Sequence, residues 1–141
     1  MRKLMTILAI TAATAAILPA AANANISLTS FEITPSCVAP GGSVTANVTV
    51  RNDHWYHVHP LYARVRISNA QTGVVVSQTD EGPKYVPYGT YSTSRTSVVP
   101  ANAPTGDYNV TLLLGSTQGG SDWGTATRLL KVRTLGILCG T

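Results

Sequence analysis

Charge is scarce in this sequence, with acidic and basic side chains together making up 11 % of its 141 residues. That is too little for a disordered polyelectrolyte, and 44 % hydrophobic residues is ordinary for a folded domain. The length supports one domain and excludes the large enzyme barrels and any two-domain dinucleotide enzyme. Helical periodicity is missing beyond residue 24: no segment there carries apolar residues at i, i+3, i+4 and i+7 for three turns. Catalytic signatures are missing as well. There is no G-x-S-x-G elbow and no glycine-rich phosphate cradle. Asp80 and Glu81 are neighbours, so in extended chain they project to opposite sides, which is wrong for a glycosidase pair. The expectation is a protein that is not an enzyme. Cysteine is limited to two residues, without CxxC spacing or a nearby histidine, which makes a poor zinc site.

What is present begins with a short cationic start, Met1-Arg2-Lys3, followed by an apolar run from Leu4 to Leu18 interrupted only by Thr6, Thr11 and Thr14. Pro19 ends the run, and Ala22-Asn23-Ala24 places small residues where a signal peptidase reads them. This is the layout of a secretory signal peptide, too short and wrongly flanked for a membrane span. Residues 1–24 are therefore expected to be removed after Ala24, and residues 25–141 to form one domain, secreted or periplasmic. The alanine-rich leader points to a bacterial host, where the N-x-S/T triplets at Asn25, Asn47 and Asn109 carry no glycan. The leader holds two of the ten basic residues, so the mature balance is eight against six. That modest excess does not favour nucleic acid as partner. No cysteine lies near the cleavage site for lipidation, and no second apolar run of spanning length follows.

Export gives the two cysteines their simplest reading. In an oxidising compartment Cys37 and Cys139 form a structural disulfide, against the rival readings of a metal site or a reactive thiol. The bridge would close a loop of 102 residues.

Alternation dominates the rest of the chain. Val44, Ala46, Val48 and Val50 face one way and Thr45, Asn47, Thr49 and Arg51 the other, as in a half-buried strand. Leu61, Ala63, Val65 and Ile67 alternate with Tyr62, Arg64, Arg66 and Ser68, and Tyr108, Val110, Leu112 and Leu114 continue the theme. Ile26 and Leu28 followed by Phe31 and Ile33 predict a first strand whose phase slips at a bulge. Residues 74–79, 91–99 and 125–133 are rich in β-branched residues and complete a set of seven. Turn chemistry separates the runs at Pro40-Gly41-Gly42, Asn69 to Gly73, Gly82-Pro83, Pro104-Thr105-Gly106 and Gly119-Gly120. Seven short strands at spacings near ten residues predict an all-β, immunoglobulin-like Greek-key sandwich.

The passage Val99-Pro100-Ala101-Asn102-Ala103-Pro104-Thr105-Gly106-Asp107-Tyr108-Asn109-Val110 resembles the strand E to strand F passage of secreted bacterial immunoglobulin-like modules, in which V-P-x-x-x-P-x-G-x-Y leads into an alternating strand. Pro40-Gly41-Gly42-Ser43-Val44 and Val48-Thr49-Val50-Arg51-Asn52 are similar to the ends of strand B in such modules, including the CARDB and NEW3 types. The resemblance covers about two-thirds of the mature chain and implies a fold rather than a ligand. It implies that Tyr108 is a corner tyrosine, its ring buried and its hydroxyl bonded to nearby backbone. The chain departs from antibody-type domains, which bridge strands B and F, because neither strand has a cysteine here.

Running seven strands alternately up and down sets Cys37, just after the first, and Cys139, after the last, at one end of the sandwich. The same order gathers three loops at the other end, over residues 53–60, 80–89 and 115–123. These loops hold all three histidines, both tryptophans and four of the six carboxylates. Trp55, Tyr56, Tyr85, Tyr88 and Trp123 are candidates for a platform that contacts a sugar or a protein, because large amphipathic rings give contact area at low entropy cost. The alternative is that one tryptophan fills the mouth of the sandwich. His54, His57 and His59 are candidate ligands for Cu(II) or Zn, with His57 and His59 on the same side of an extended chain. The alternative is that they are polar loop residues. Three functions follow in order: an exported, cofactor-free binding module for an extracellular or periplasmic protein or glycan; a metal-binding protein; and a secreted hydrolase inhibitor that inserts the Tyr85–Tyr88 segment.

Overall fold

In the computed structural model, residues 17–18, 26–54, 59–134 and 139 are described. The described residues contain no helix, and so none long and apolar enough to cross a membrane. The strands are β1 (Ile17–Leu18), β2 (Ile26–Thr34), β3 (Cys37–Val38), β4 (Ser43–Asn52), β5 (His59–Asn69), β6 (Val75–Val86), β7 (Gly89–Val98), β8 (Gly106–Gly115) and β9 (Gly124–Val132). One sheet has the order β1-β9-β8-β5-β6, with β3 also on β9, and the other the order β2-β4-β7. Seven long strands thus make the expected two-layer sandwich. Ile17–Leu18 lies antiparallel beside Thr125 and Ala126 of β9.

Each inner face follows from the alternation. Val44, Ala46, Val48 and Val50 of β4 face Leu61, Val65 and Ile67 of β5 and Val110, Leu112 and Leu114 of β8 across a continuous core. The slip in β2 is real: its register with β4 shifts between Leu28 and Ser30. The extra residue lets both Leu28 and Phe31 point inward. Tyr108 is fully buried, and its hydroxyl donates to the Pro104 carbonyl at 2.6 Å, the corner its resemblance implied. Cys37 and Cys139 are bonded, with Cα atoms 5.5 Å apart, beside the parallel pairing of β3 with the end of β9.

One segment differs from the sequence reading. Gly82-Pro83 reads as a turn, which made residues 80–89 a loop, yet β6 runs on to Val86. Strand β6 is an edge strand, so a proline there removes no ladder hydrogen bond from a neighbour. A register shift between Leu61 and Ala63 absorbs the irregularity. As a result Asp80 and Glu81 pair opposite Arg64 and Ala63 in mid-sheet and leave the pole. The connection to β7 shrinks to Pro87-Tyr88.

Candidate functional site

The lower pole is where β4, β6 and β8 end and β5, β7 and β9 begin. Its anchor is Asn52, which continues the inward phase of Val44 to Val50 and is fully buried. Its amide nitrogen donates to the Val86 carbonyl at 3.0 Å, and its amide oxygen accepts from the His54 backbone N–H at 2.9 Å. One side chain thereby ties the start of the 53–58 connection to the end of β6, and satisfies backbone groups that burial would otherwise orphan. Asn52 was not among the residues singled out from sequence. The available signal was a polar residue in the phase of a buried strand face.

The second anchor is Asp122. Its carboxylate accepts from the Ser116 N–H at 2.9 Å and from the Ser116 hydroxyl at 2.7 Å, clasping the 116–123 loop across its base. Burial pushes the Asp122 carboxyl up, but the two Ser116 bonds outweigh it and hold the group below the usual carboxylate range. Gly115 makes the clasp possible, since a Cβ there would meet the Gly120 backbone at 2.7 Å. The loop folds back until Gly119, at φ 80°, lies against the Arg64 guanidinium. Arg64 is held in turn by Asp80, Nε to Oδ1 at 2.7 Å and Nη2 to Oδ2 at 3.1 Å. That pair, helped by the nearby Arg66 charge, keeps Asp80 below its ordinary value.

A pH dependence follows. A carboxylate whose folded pKa is depressed adds stability that is fully present above its unfolded value, about 3.9, and is lost as pH falls through the folded pKa. Urea unfolding is expected to be flat above about pH 5 and to weaken below about pH 4. Asp122→Asn should be less stable than the parent by about 1 kcal/mol at pH 7, discounted because the group is partly solvated. The gap should close toward pH 3, and an unchanged gap there would show that the charge is irrelevant.

The candidate ligand residues divide sharply. Tyr85, at the end of β6, and Tyr88, in the two-residue connection, are 64 % and 56 % exposed. Trp123 is only 8 % exposed and packs into the core, and its backbone N–H donates to the Leu114 carbonyl at 3.0 Å. It supports the pole from beneath, because β9 begins there and its ring enters the apolar interior between the sheets. His54 is partly buried at the pole. Trp55, Tyr56 and His57 lie outside the described residues. His59 opens β5, opposite Val86, and its side chain is outside the description. Among the described residues no group of three His, Cys, Asp or Glu side chains could hold a metal ion.

No protein-family model matches the chain, and no curated protein matches it. Solved structures do match. The C-terminal domain of wzt superposes with a TM-score of 0.61 at 11 % identity, over 79 % of this chain and 75 % of that domain. A Paenibacillus sp. cycloisomaltooligosaccharide glucanotransferase complexed with cycloisomaltoheptaose matches with a TM-score of 0.59 at 18 % identity, over 78 % of this chain. The chain spans 14 % of that enzyme's length. A CARDB domain from Pyrococcus furiosus, in complex with di-metal ions, matches at 16 % identity with a TM-score of 0.47, over 78 % of this chain and 94 % of that one. At such identities the likeness is one of fold: a β-sandwich shared with domains of carbohydrate-related and other proteins.

Proposed function

We propose that the chain is an exported, non-enzymatic binding module that contacts a protein or carbohydrate through its lower pole. The observation that carries this reading is the exposure of Tyr85 and Tyr88, two aromatic rings three residues apart, one at the end of β6 and the other in the two-residue connection to β7. Solvent-exposed rings of this size are poor candidates for a structural role and good ones for recognition, where they lose little side-chain entropy on docking. Asn52 supports the reading because it locks the end of β6, and with it Tyr85, to the neighbouring connection. Loops at one end of a sandwich are a common place for such residues.

The experiment is a comparison of the wild type with Tyr85→Ala/Tyr88→Ala on a glycan array and in pull-downs of exported proteins. Removing two interface tyrosines is expected to weaken a genuine complex by about 2 kcal/mol or more, roughly thirtyfold. The melting temperature should move by no more than a degree or two, since both rings are exposed. Binding that survives the double substitution unchanged would remove the pole as the contact surface.

A further inference from the structure

The outer edge of β9 holds added strands. Ile17–Leu18 pairs antiparallel with Ala126 and Thr125 at one end, and Cys37–Val38 pairs parallel with Lys131 and Val132 at the other. Between them, Thr127 to Leu130 have no ladder partner on that side among the described residues. Ile17 and Leu18 belong to the leader that is expected to be removed after Ala24, whereas the disulfide keeps β3 in place. Removal leaves seven consecutive residues, Gly124 to Leu130, with an open edge. That edge is already shown to take an extended chain, because β1 lies on it.

Edges that must stay single are blunted by proline, bulges or charge. Strand β6 has all three: Pro83, two register shifts against β5, and the charges of Asp80, Glu81 and Lys84. The open run of β9 has no proline and no register shift against β8, and its one charge, Arg128, pairs with Glu32 at 3.0 Å. Leu129 within it is 49 % exposed. The run is also self-complementary. With a two-fold axis through Thr127, each Thr127 meets its counterpart, Ala126 stands opposite Arg128 of the second copy, and Thr125 opposite its Leu129. Inward residues stay inward, as a continuous sheet requires. Leu129 gains a β-branched neighbour, and each Arg128 faces a small side chain and keeps its own Glu32, so no like charges stand directly opposite. The Thr127 carbonyl accepts from Arg128 Nη1 at 3.1 Å and retains a lone pair for a strand N–H. The pairing ends before Lys131, where β3 takes the edge.

We propose that, once the leader is gone, two copies of the chain pair antiparallel through Gly124–Leu130 of β9 and join their larger sheets into one. The leader and the second copy compete for the same edge, so removal of the leader is what permits assembly. The interface is isologous, and pairing both edges leaves no open ladder to recruit a third copy there. The proposal rests on the removal of residues 1–24 and is independent of what the lower pole contacts.

The test is sedimentation velocity of the mature chain from Asn25 onward, which keeps all seven long strands, over a concentration series. A reversible dimer is expected. Thr127→Lys and Thr127→Glu each change one exposed side chain, so their thermal melts should match the wild type. Each should weaken the dimer roughly fivefold to tenfold by setting like charges opposite across the axis. An equimolar mixture of the two should regain a dimer at least as tight as the wild type. A peptide of residues 13–22 in excess should dissociate the wild-type dimer, and the same peptide carrying Ile17→Pro/Leu18→Pro should not. Tyr85→Ala/Tyr88→Ala should dimerise like the wild type. A wild type that stays monomeric would overturn the proposal. So would a dimer indifferent to the charges at 127 or to the leader peptide, a mixture no tighter than its components, or a dimer lost with the two tyrosines.

Discussion

Replacing Cys37 and Cys139 together by serine is expected to destabilise the domain by about 4 kcal/mol and to lower its melting temperature by about 15 °C. The bridge joins positions 102 residues apart, so it removes a large share of the conformations open to the unfolded chain. Among the described residues, the other ties at that end are the burial of Val38 and a short backbone pairing. Strand β3 pairs with β9 through only Cys37 opposite Lys131 and Val38 opposite Val132, reinforced by backbone bonds from Lys131 to Ser36 and from Arg133 to Val38. Two residues of parallel ladder are a weak tether. Thermal melts of wild type with and without reductant, beside the double serine variant, check this. The reduced wild type and the variant should coincide, and a melting point indifferent to reductant would show that the sheets alone hold the β3 segment.

Tyr108→Ala is expected to cost about 4 kcal/mol, and Tyr108→Phe only about 1 kcal/mol. Tyr108 is the largest of the fully buried side chains among the described residues, lying on β8 opposite Leu130 of β9. Truncation to alanine empties a ring-sized volume at the junction of the 99–106 connection with the core, where rigid strands cannot collapse to refill it. The phenylalanine variant keeps the ring and loses only the hydroxyl's bond to the Pro104 carbonyl. Pro104 is exposed, so water can take over that carbonyl, which keeps the second cost small. Urea unfolding of both variants separates the terms. Equal losses would mean that the hydroxyl bond, not the packing, carries the corner.

Both effects were legible from the residues. The bridge came from the export that residues 1–24 predict and from the strand count, and the corner from the resemblance of the Val99–Val110 passage to immunoglobulin-like modules. The strands themselves were legible because period-two patterning is a local property: each inward residue of β4, β5 and β8 is apolar whatever it finally touches. Even the bulge in β2 showed, as a change of phase between Leu28 and Phe31.

The candidate site was legible only in outline. Strand order alone brings the 53–58, 87–88 and 116–123 connections to one pole, so the sequence could place His54, Tyr85, Tyr88 and Trp123 there together. It could not say that Gly82-Pro83 lies within an edge strand, since the same dipeptide makes a turn when both its flanks need ladder partners. That one difference moved Asp80 to Arg64 and Glu81 into reach of Lys84 and Arg95.

The local order of apolar and polar residues, with the two cysteines, was enough to determine a disulfide-closed β-sandwich and which side of each strand is buried. Only the tertiary structure decided that Trp123 is buried while Tyr85 and Tyr88 are exposed, that Asn52 fastens the pole, and that β6 and β7 meet through side chains with no ladder between them among the described residues. The reason is physical. Burial along a strand depends on a residue's own periodicity, whereas exposure at a loop and closure at a sheet edge depend on which distant segment arrives to cover them.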